Sequence, residues 1–318
     1  MSWIRTWRAL RSKGVLGINR RNAEYTLRWN RRSRYPTVDD KMLTKKLCAG
    51  AGIPTPALLA VASHHFELRK LRETVRHLDS FVLKPARGAM GNGILVVRER
   101  QGDRFRLAGG RWIGLDDLSY HAAGIISGLY ALAGQADVAI VEERLEVHPE
   151  LAEIATEGVP DVRVIVFRGV PTMAMTRLPT RKSSGRANLH QGAVAAGIDL
   201  GTGATTHAVQ ESRLITHHPD TGQGLLNRVM PGWPSMLGFA VRAADESGLG
   251  YVGADMVVDA TRGPVLLEMN ARPGLMIQLA NQAGLVPRLR AIERDWRPDR
   301  SVEERTAAGV AIAAGATT

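Results

Sequence analysis

The stretch Lys84-Pro85-Ala86-Arg87-Gly88-Ala89-Met90-Gly91-Asn92-Gly93 sets three glycines between two short apolar runs, residues 81–83 and 94–97. Glycine lets the backbone approach a ligand closely, so that successive N–H groups can point at phosphate oxygens. Lys84, leaving the first run, would add a point charge. The stretch lacks the Gly-Lys-Ser/Thr ending of a Walker loop, and a strand rather than a helix follows, so a Rossmann fingerprint does not fit either. An ordinary surface turn fits the same residues.

A second group is Asp255, Glu268 and Asn270. Glu268 and Asn270 are two apart, so on a strand they share a face, and Asp255 can stand opposite them on a paired strand. Hard oxygen ligands on one face suit Mg²⁺, which keeps several waters and shares phosphate oxygens. A solvated acidic face is the alternative. Between the two groups lie Arg163, Arg177, Arg181, Lys182 and Arg186, with Asn188 and His190 nearby. Arginine clamps phosphate and carboxylate oxygens. Set between a phosphate loop and a metal hairpin, these cations suggest an anion-transfer site; taken singly they could line an exposed face.

These residues need elements to hold them. The runs at 81–83 and 94–97 read as a strand pair around the glycine-rich turn. Residues 162–167 and 172–177 read as a hairpin turning at Arg168-Gly169, and 193–198 with 205–209 as another pair. Residues 252–258 and 265–269 form a third, turning at Thr261-Arg262-Gly263. Residues 139–141 make an apolar strand ending in Glu142 and Glu143. Helices are expected near 22–29, from Lys41 to Ala51 behind an Asp39 or Asp40 cap, and over 66–78, 116–132 and 234–247, with two short ones before Pro298. Hairpins alternating with helices give an α+β protein with mainly antiparallel sheets. Its expected divisions are a basic arm over 1–37, a main domain over 38–295 containing a small lobe at about 80–140, and a flexible tail over 296–318.

Composition narrows the class. The chain has 318 residues, 44% hydrophobic and 23% charged, ordinary for a globular protein. No apolar run is long enough to span a membrane, no secretory h-region follows the basic start, and the lone Cys48 fits a reducing compartment; a cytoplasmic location is expected. Cys48 reads as a core residue, and His64-His65 and His217-His218 as surface residues. Of the net charge of +11, residues 1–35 carry +9, from ten Lys/Arg against Glu24. Trp7, Tyr25 and Trp29 lie among those arginines, and residues 19–35 are expected to pack on the body through Tyr25, Leu27 and Trp29. Such an arm could meet an acidic partner, anionic lipid or nucleic acid, or simply be solvated.

The blocks also fall in a familiar order. Lys84-x-x-x-Gly88-x-x-Gly91-x-Gly93, Val141-Glu142-Glu143-Arg144-Leu145, Asp161-x-Arg163, Arg186-x-Asn188-Leu189-His190-Gln191-Gly192, Gly253-Ala254-Asp255 and Leu267-Glu268-Met269-Asn270-x-x-Pro273-Gly274 resemble the motifs of the ATP-grasp superfamily. Asn188-Leu189-His190-x-Gly192 and the Glu268 to Gly274 block look like the ribosomal-protein glutamate ligase branch. The start, Gly17-Ile18-Asn19-Arg20-Arg21-Asn22 and Val38-Asp39-Asp40-Lys41, is similar to alpha-L-glutamate ligase-like proteins.

The resemblance implies two α+β lobes holding ATP between them, and an ATP-dependent carboxylate–amine ligase that works through an acyl phosphate. Lys41 and Lys84 would contact ATP phosphates, and Gly88, Gly91 and Gly93 would form the lid over them. Glu142, Glu143, Arg144 and Leu145 would read adenine, and Asp161 would lie near the ribose. Arg177, Arg186 and Asn188 would face the transferring phosphate, and Arg272 would receive the carboxylate. Asp255, Glu268 and Asn270 would hold Mg²⁺, or Mn²⁺ in its place. The partners implied are an amino-acid or peptide carboxylate, glutamate foremost, and an amine on a peptide or protein; no nucleic acid is expected. The alternatives are an ATP-grasp phosphotransferase that does not ligate and a non-enzymatic nucleotide- or nucleic-acid-binding module. Two departures stand out. Only about 37 residues precede the Asp-Lys block, fewer than a separate substrate lobe needs, and Arg144 stands where the hinge commonly carries an aromatic.

Overall fold

The computed structural model describes residues 3–88, 91–131, 134–155 and 158–315, without the side chains of Trp3, Ile4 and Trp7. Ala89 and Met90 of the glycine-rich stretch, Leu132 of the expected helix, the Trp7 side chain and the last three residues of the expected tail therefore lie outside it. The chain divides into two compact units. One comprises Asp40–Met42 and Thr55–Glu146, the other Met1–Asp39, Leu43–Pro54 and Val147–Thr318.

The smaller unit is a six-stranded sheet of β1 (Leu58–Ala62), β2 (Phe81–Pro85), β3 (Leu95–Gln101), β4 (Arg104–Leu107), β5 (Trp112–Gly114) and β6 (Ala139–Glu142). The order is β1-β6-β2-β3-β4-β5, with every pair antiparallel. Helices Leu68–Val75 and Leu115–Ile126 supply Leu71, Val75, Leu118 and Ile125 to a core shared with Phe81, Leu83 and Phe105. Strands β1, β4 and β5 are additions to the sequence reading. β1 reads Leu-Leu-Ala-Val-Ala without polar alternation, and β4 and β5 are only four and three residues long.

The larger unit is a seven-stranded antiparallel sheet: β7 (Asp161–Phe167), β8 (Val170–Leu178), β9 (Val194–Ile198), β10 (Thr205–Gln210), β11 (Arg213–Ile215), β12 (Tyr251–Asp259) and β13 (Gly263–Asn270). Its order is β11-β10-β9-β8-β7-β12-β13. Alternation sorts the side chains. Val162, Val164, Val166, Val252, Ala254 and Met256 pack with Met236 and Ala240 of the helix Trp233–Ser247. On the other face, β7 runs Asp161, Arg163, Ile165, Phe167 from charged to apolar. The apolar half of that face joins Met173, Met175 and Tyr251 in a second core.

The N-terminal arm belongs to this larger unit. Tyr25 is 1% exposed and meets Phe167 edge-on at 5.4 Å, and Trp29 does the same at 5.8 Å. Asn30, also buried, closes two hydrogen bonds on the backbone of Tyr251, accepting from its N–H at 2.8 Å and donating to its carbonyl at 2.7 Å. The arm thus covers apolar sheet that would otherwise face water. Leu27, expected to pack, is 62% exposed instead, because the helical run over residues 18–29 turns only its Tyr25 side to the sheet.

The expected flexible tail is for the most part a helix, Val302–Gly315. Ser301 and Glu304 form its capping box, Ser301 N donating to Glu304 Oε2 at 2.7 Å and Glu304 N to Ser301 Oγ at 3.2 Å. Gly309 packs so close to Pro171 that a Cβ there would lie 2.3 Å from its carbonyl oxygen. His218 is buried, not on the surface, with Nε2 3.1 Å from the Pro179 carbonyl oxygen. Cys48 is buried, as its apolar neighbours require.

Candidate active site

Sheet register in the larger unit assembles a charged cluster from residues far apart in sequence. Asp255 on β12 stands opposite Arg163 on β7 and Glu268 on β13. Asp161, two residues before Arg163, pairs with Arg177 on β8. Period-two alternation puts Asp161, Arg163, Arg177, Asp255, Glu268 and Asn270 on one face.

The contacts follow from that placement. Arg163 donates through Nε at 2.7 Å and Nη2 at 2.5 Å to the two oxygens of Asp255. Arg177 donates through Nε to Asp161 Oδ1 at 2.6 Å and through Nη2 to Asp161 Oδ2. The same Nη2 reaches Asp255 Oδ2 at 2.9 Å. Asn270 Nδ2 donates to Asp255 Oδ2 at 3.1 Å and lies 3.5 Å from Glu268 Oε1. Asp255 is 1% exposed, whereas Glu268 and Asn270 are half-buried. Glu268 makes no ion pair among the described residues.

The two aspartates titrate apart. Burial pushes the Asp255 carboxyl up, but Arg163 and Arg177 outweigh it and hold it down at about 2. Asp161 has Arg177 alone at contact distance; burial, helped by the Asp255 charge, lifts it to about 6 against that pull. Arg177, facing both acids and Glu268, is raised above its ordinary value despite its burial.

The smaller unit carries a separate set. Lys84 leaves β2 with Nζ 2.6 Å from Glu142 Oε2 on β6, the side chains 9% and 2% exposed. Register allows this, since β2 and β6 are neighbours. Lys41 Nζ donates to the Gly88 carbonyl at 2.9 Å and so holds the base of the glycine-rich turn. A Cβ at Gly88 would meet Pro85 Cγ at 2.2 Å, and Gly93, at φ 76°, leaves room for the Tyr130 ring. After β6, Glu143 bonds Ala57 through both its backbone N–H and its Oε1, and Arg144 lies 3.5 Å from Glu146. Leu145 is buried.

The other expected site residues make no hydrogen bond or ion pair with the cluster among the described residues. Asn188 caps a short turn, its Oδ1 accepting from His190 N at 3.0 Å. Arg186 is exposed, and Lys182 pairs with Glu211. Arg272 lies past the end of β13, where strand alternation no longer sets its direction, and its guanidinium stands 5.5 Å over the Tyr35 ring.

Residues 20–294 match the model of the sugar-transfer associated ATP-grasp family. The chain belongs to this ATP-grasp family. No curated protein matches it. Among solved structures it is similar to the ATP-grasp ligase PsnB complexed with a minimal precursor, at 16% identity and TM-score 0.39 over 89% of this chain and 64% of that one. It is also similar to D-alanyl-alanine synthetase A from Vibrio cholerae, at 11% identity and TM-score 0.44 over 88% and 67%. A third is the VanG D-Ala:D-Ser ligase from Enterococcus faecalis, at 15% identity and TM-score 0.43 over 86% and 61%. The chain thus spans less than two thirds of the length of PsnB. These likenesses concern the fold.

Within this ATP-grasp chain, two arginine contacts go beyond what the sequence indicated. Arg163, read as one cation among several, is the bidentate partner of Asp255. Arg21 reaches from the arm to the loop after β13, donating to the Pro273 carbonyl at 3.0 Å and lying 3.4 Å from that of Arg272. The Asp-x-Arg alternation at 161–163 signals the first; no local pattern signals the second. No helix among the described residues is long and apolar enough to cross a membrane.

Proposed function

We propose that the protein is an ATP-dependent carboxylate–amine ligase. The observation that carries the reading is the cluster of Arg163, Arg177, Asp161 and Asp255 beside Glu268 and Asn270, in a chain of the ATP-grasp family. Phosphoryl transfer is served by positioning and charge stabilisation, and no nucleophilic side chain is required. A carboxylate oxygen takes the γ-phosphoryl of ATP and ADP leaves. An amine then attacks the acyl carbon, the bond to phosphate breaks, and the amine loses a proton.

The donor set fits a divalent cation, with the Glu268 carboxylate as the charged ligand and the Asn270 amide oxygen as the neutral one. Asp255 would complete the set through Oδ1, which accepts only from Arg163 Nε, since Oδ2 is taken by Arg163, Arg177 and Asn270. Mg²⁺, or Mn²⁺ in its place, would neutralise phosphate charge when bound. Arg177, held between two carboxylates, would face the transferring phosphate. Lys84, the backbone N–H groups of the glycine-rich turn and Lys41 take phosphate oxygens, the backbone from Glu142 to Leu145 takes adenine, and Asp161 lies toward the ribose. Arg186 and Asn188 would face the transferring phosphate and Arg272 would receive the substrate carboxylate.

The carboxylate is glutamate or a similar amino acid, and the amine is borne by a peptide or a protein. The test is ADP release from Mg-ATP with labelled glutamate and other carboxylates, crossed with peptides, and mass spectrometry of the product. An amide with amine-dependent ADP release supports ligation. A phosphorylated product without an amide makes the protein a phosphotransferase.

A further inference from the structure

The charge of the N-terminal arm is unused by the proposed reaction, and its exposed surface has an unusual composition. The helix Trp3–Ser12 exposes every residue whose side chain is described: Arg5, Thr6, Arg8, Ala9, Leu10, Arg11 and Ser12. Its sequence also contains Trp3, Ile4 and Trp7. Arg5, Arg8, Lys13, Arg31 and Arg32 make no ion pair among the described residues. The same arm carries large aliphatic side chains facing water: Leu10 is 48% exposed, Ile18 63% and Leu27 62%. Exposed aliphatic side chains alternating in sequence with unpaired arginines suit a contact surface.

We propose that this arm is a docking surface for an anionic lipid bilayer. The complementarity is twofold. Cations near a negatively charged leaflet are attracted within a Debye length, and aliphatic side chains between them enter the headgroup–acyl boundary while arginine heads remain at the phosphates. A nucleic acid would satisfy the charges equally well. It offers no apolar phase for Leu10, Ile18 and Leu27, and its usual partners, stacked aromatic rings, are not what the described surface exposes. The buried part of the arm, Tyr25 and Asn30, fixes the surface to the larger unit, so docking would bring that unit to the membrane.

The test is flotation of the full chain with vesicles of phosphatidylcholine alone or mixed with phosphatidylglycerol, with a short DNA duplex as competitor. Binding is expected only to the mixed vesicles. Arg5→Gln/Arg8→Gln/Arg31→Gln should weaken it on the order of a hundredfold, about fivefold for each charge. Leu10→Ser/Leu27→Ser should weaken it roughly tenfold at unchanged charge, the mark of insertion rather than simple ion attraction. All the replaced side chains are exposed, so thermal unfolding should match the wild type. The proposal is overturned by absence of flotation, by equal flotation with uncharged vesicles, by full retention in the leucine variant, or by a duplex that binds tightly to a chain the mixed vesicles leave behind.

Discussion

Replacing Lys84 tests two roles at once, and the structure separates them. Its ammonium lies 2.6 Å from a Glu142 carboxylate that is 2% exposed. Lys84→Ala takes that cation from a carboxylate far from water. Breaking a buried pair by removing one member costs about 3–5 kcal/mol, a large part of the roughly 5–15 kcal/mol that holds a domain folded. A fall in activity would then say nothing about ATP. The companion variant Lys84→Met/Glu142→Gln removes both charges and keeps the side-chain volumes close, so most of the lost stability should return. Nucleotide affinity should not return, because no cation remains for the phosphates. Urea unfolding gives the first quantity and calorimetric titration with ATP and magnesium the second. If Lys84→Ala unfolds at the wild-type urea midpoint, the ion pair does not hold the smaller unit together. If the double variant recovers nucleotide affinity along with stability, Lys84 is a structural partner of Glu142 and no phosphate ligand.

The remaining expectations concern the larger unit. Glu268→Gln should cut ADP release by about a hundredfold or more and raise the magnesium requirement, with stability within about 1 kcal/mol of wild type; Asp255→Asn should destabilise and shift the magnesium requirement less. Arg177→Met should cost about 3–5 kcal/mol in urea unfolding, since two buried carboxylates lose a shared partner, and Arg177→Lys should fail to restore it because an ammonium lacks the planar fork. For Asp161, raised from 3.8 to about 6, the folded state binds its proton more tightly than the unfolded chain does. Its contribution to stability therefore falls as pH rises from about 4 to about 6, and Asp161→Asn should remove that slope; an unchanged slope refutes the assignment. Asn30→Ala should cost about 2–4 kcal/mol, because the Tyr251 backbone loses both bonds to a buried amide.

The site was legible in the sequence wherever its logic is local. Glu268 and Asn270 are two apart, and Val252 to Val258 is patterned as a strand, so a hairpin bringing Asp255 against Glu268 followed from alternation and a glycine turn. The same reasoning found the hairpin of β7 and β8, but the pairing of Asp161 with Arg177 depends on a register shift between Ile165 and Val166 that the sequence does not signal. It did not reveal that Asp255 would be taken by two arginines, because β7 and β12 are separated by more than eighty residues and nothing local fixes their register. The arm failed for a related reason. Tyr25 and Trp29 were correctly read as anchors, but Leu27 looks identical in type and faces water; only the direction of the helix on Phe167 decides between them. The C-terminal helix was missed for want of an apolar stripe in an Ala-rich run, although Ser301 and Glu304 spelled out its cap.

The charges of the cluster explain why its members should divide the work. Arg163 and Arg177 against Asp161 and Asp255 sum to zero, so the buried part is balanced within itself. Asp255 accepts from Arg163 Nε at Oδ1 and from Arg163 Nη2, Arg177 Nη2 and Asn270 Nδ2 at Oδ2, so the acceptor capacity of Oδ2 is filled. A cation approaching it must displace a guanidinium from a site of low dielectric, where that exchange is opposed by the loss of two aligned hydrogen bonds. Glu268 is half-buried, makes no ion pair among the described residues and stands one strand further out, and it brings the net charge of the set to −1. Attraction for a cation is therefore directed to the Glu268 edge. The arginines remain pinned by Asp255 and Asp161, and under the proposed function they would stay available to an anion beside a cation held at Glu268.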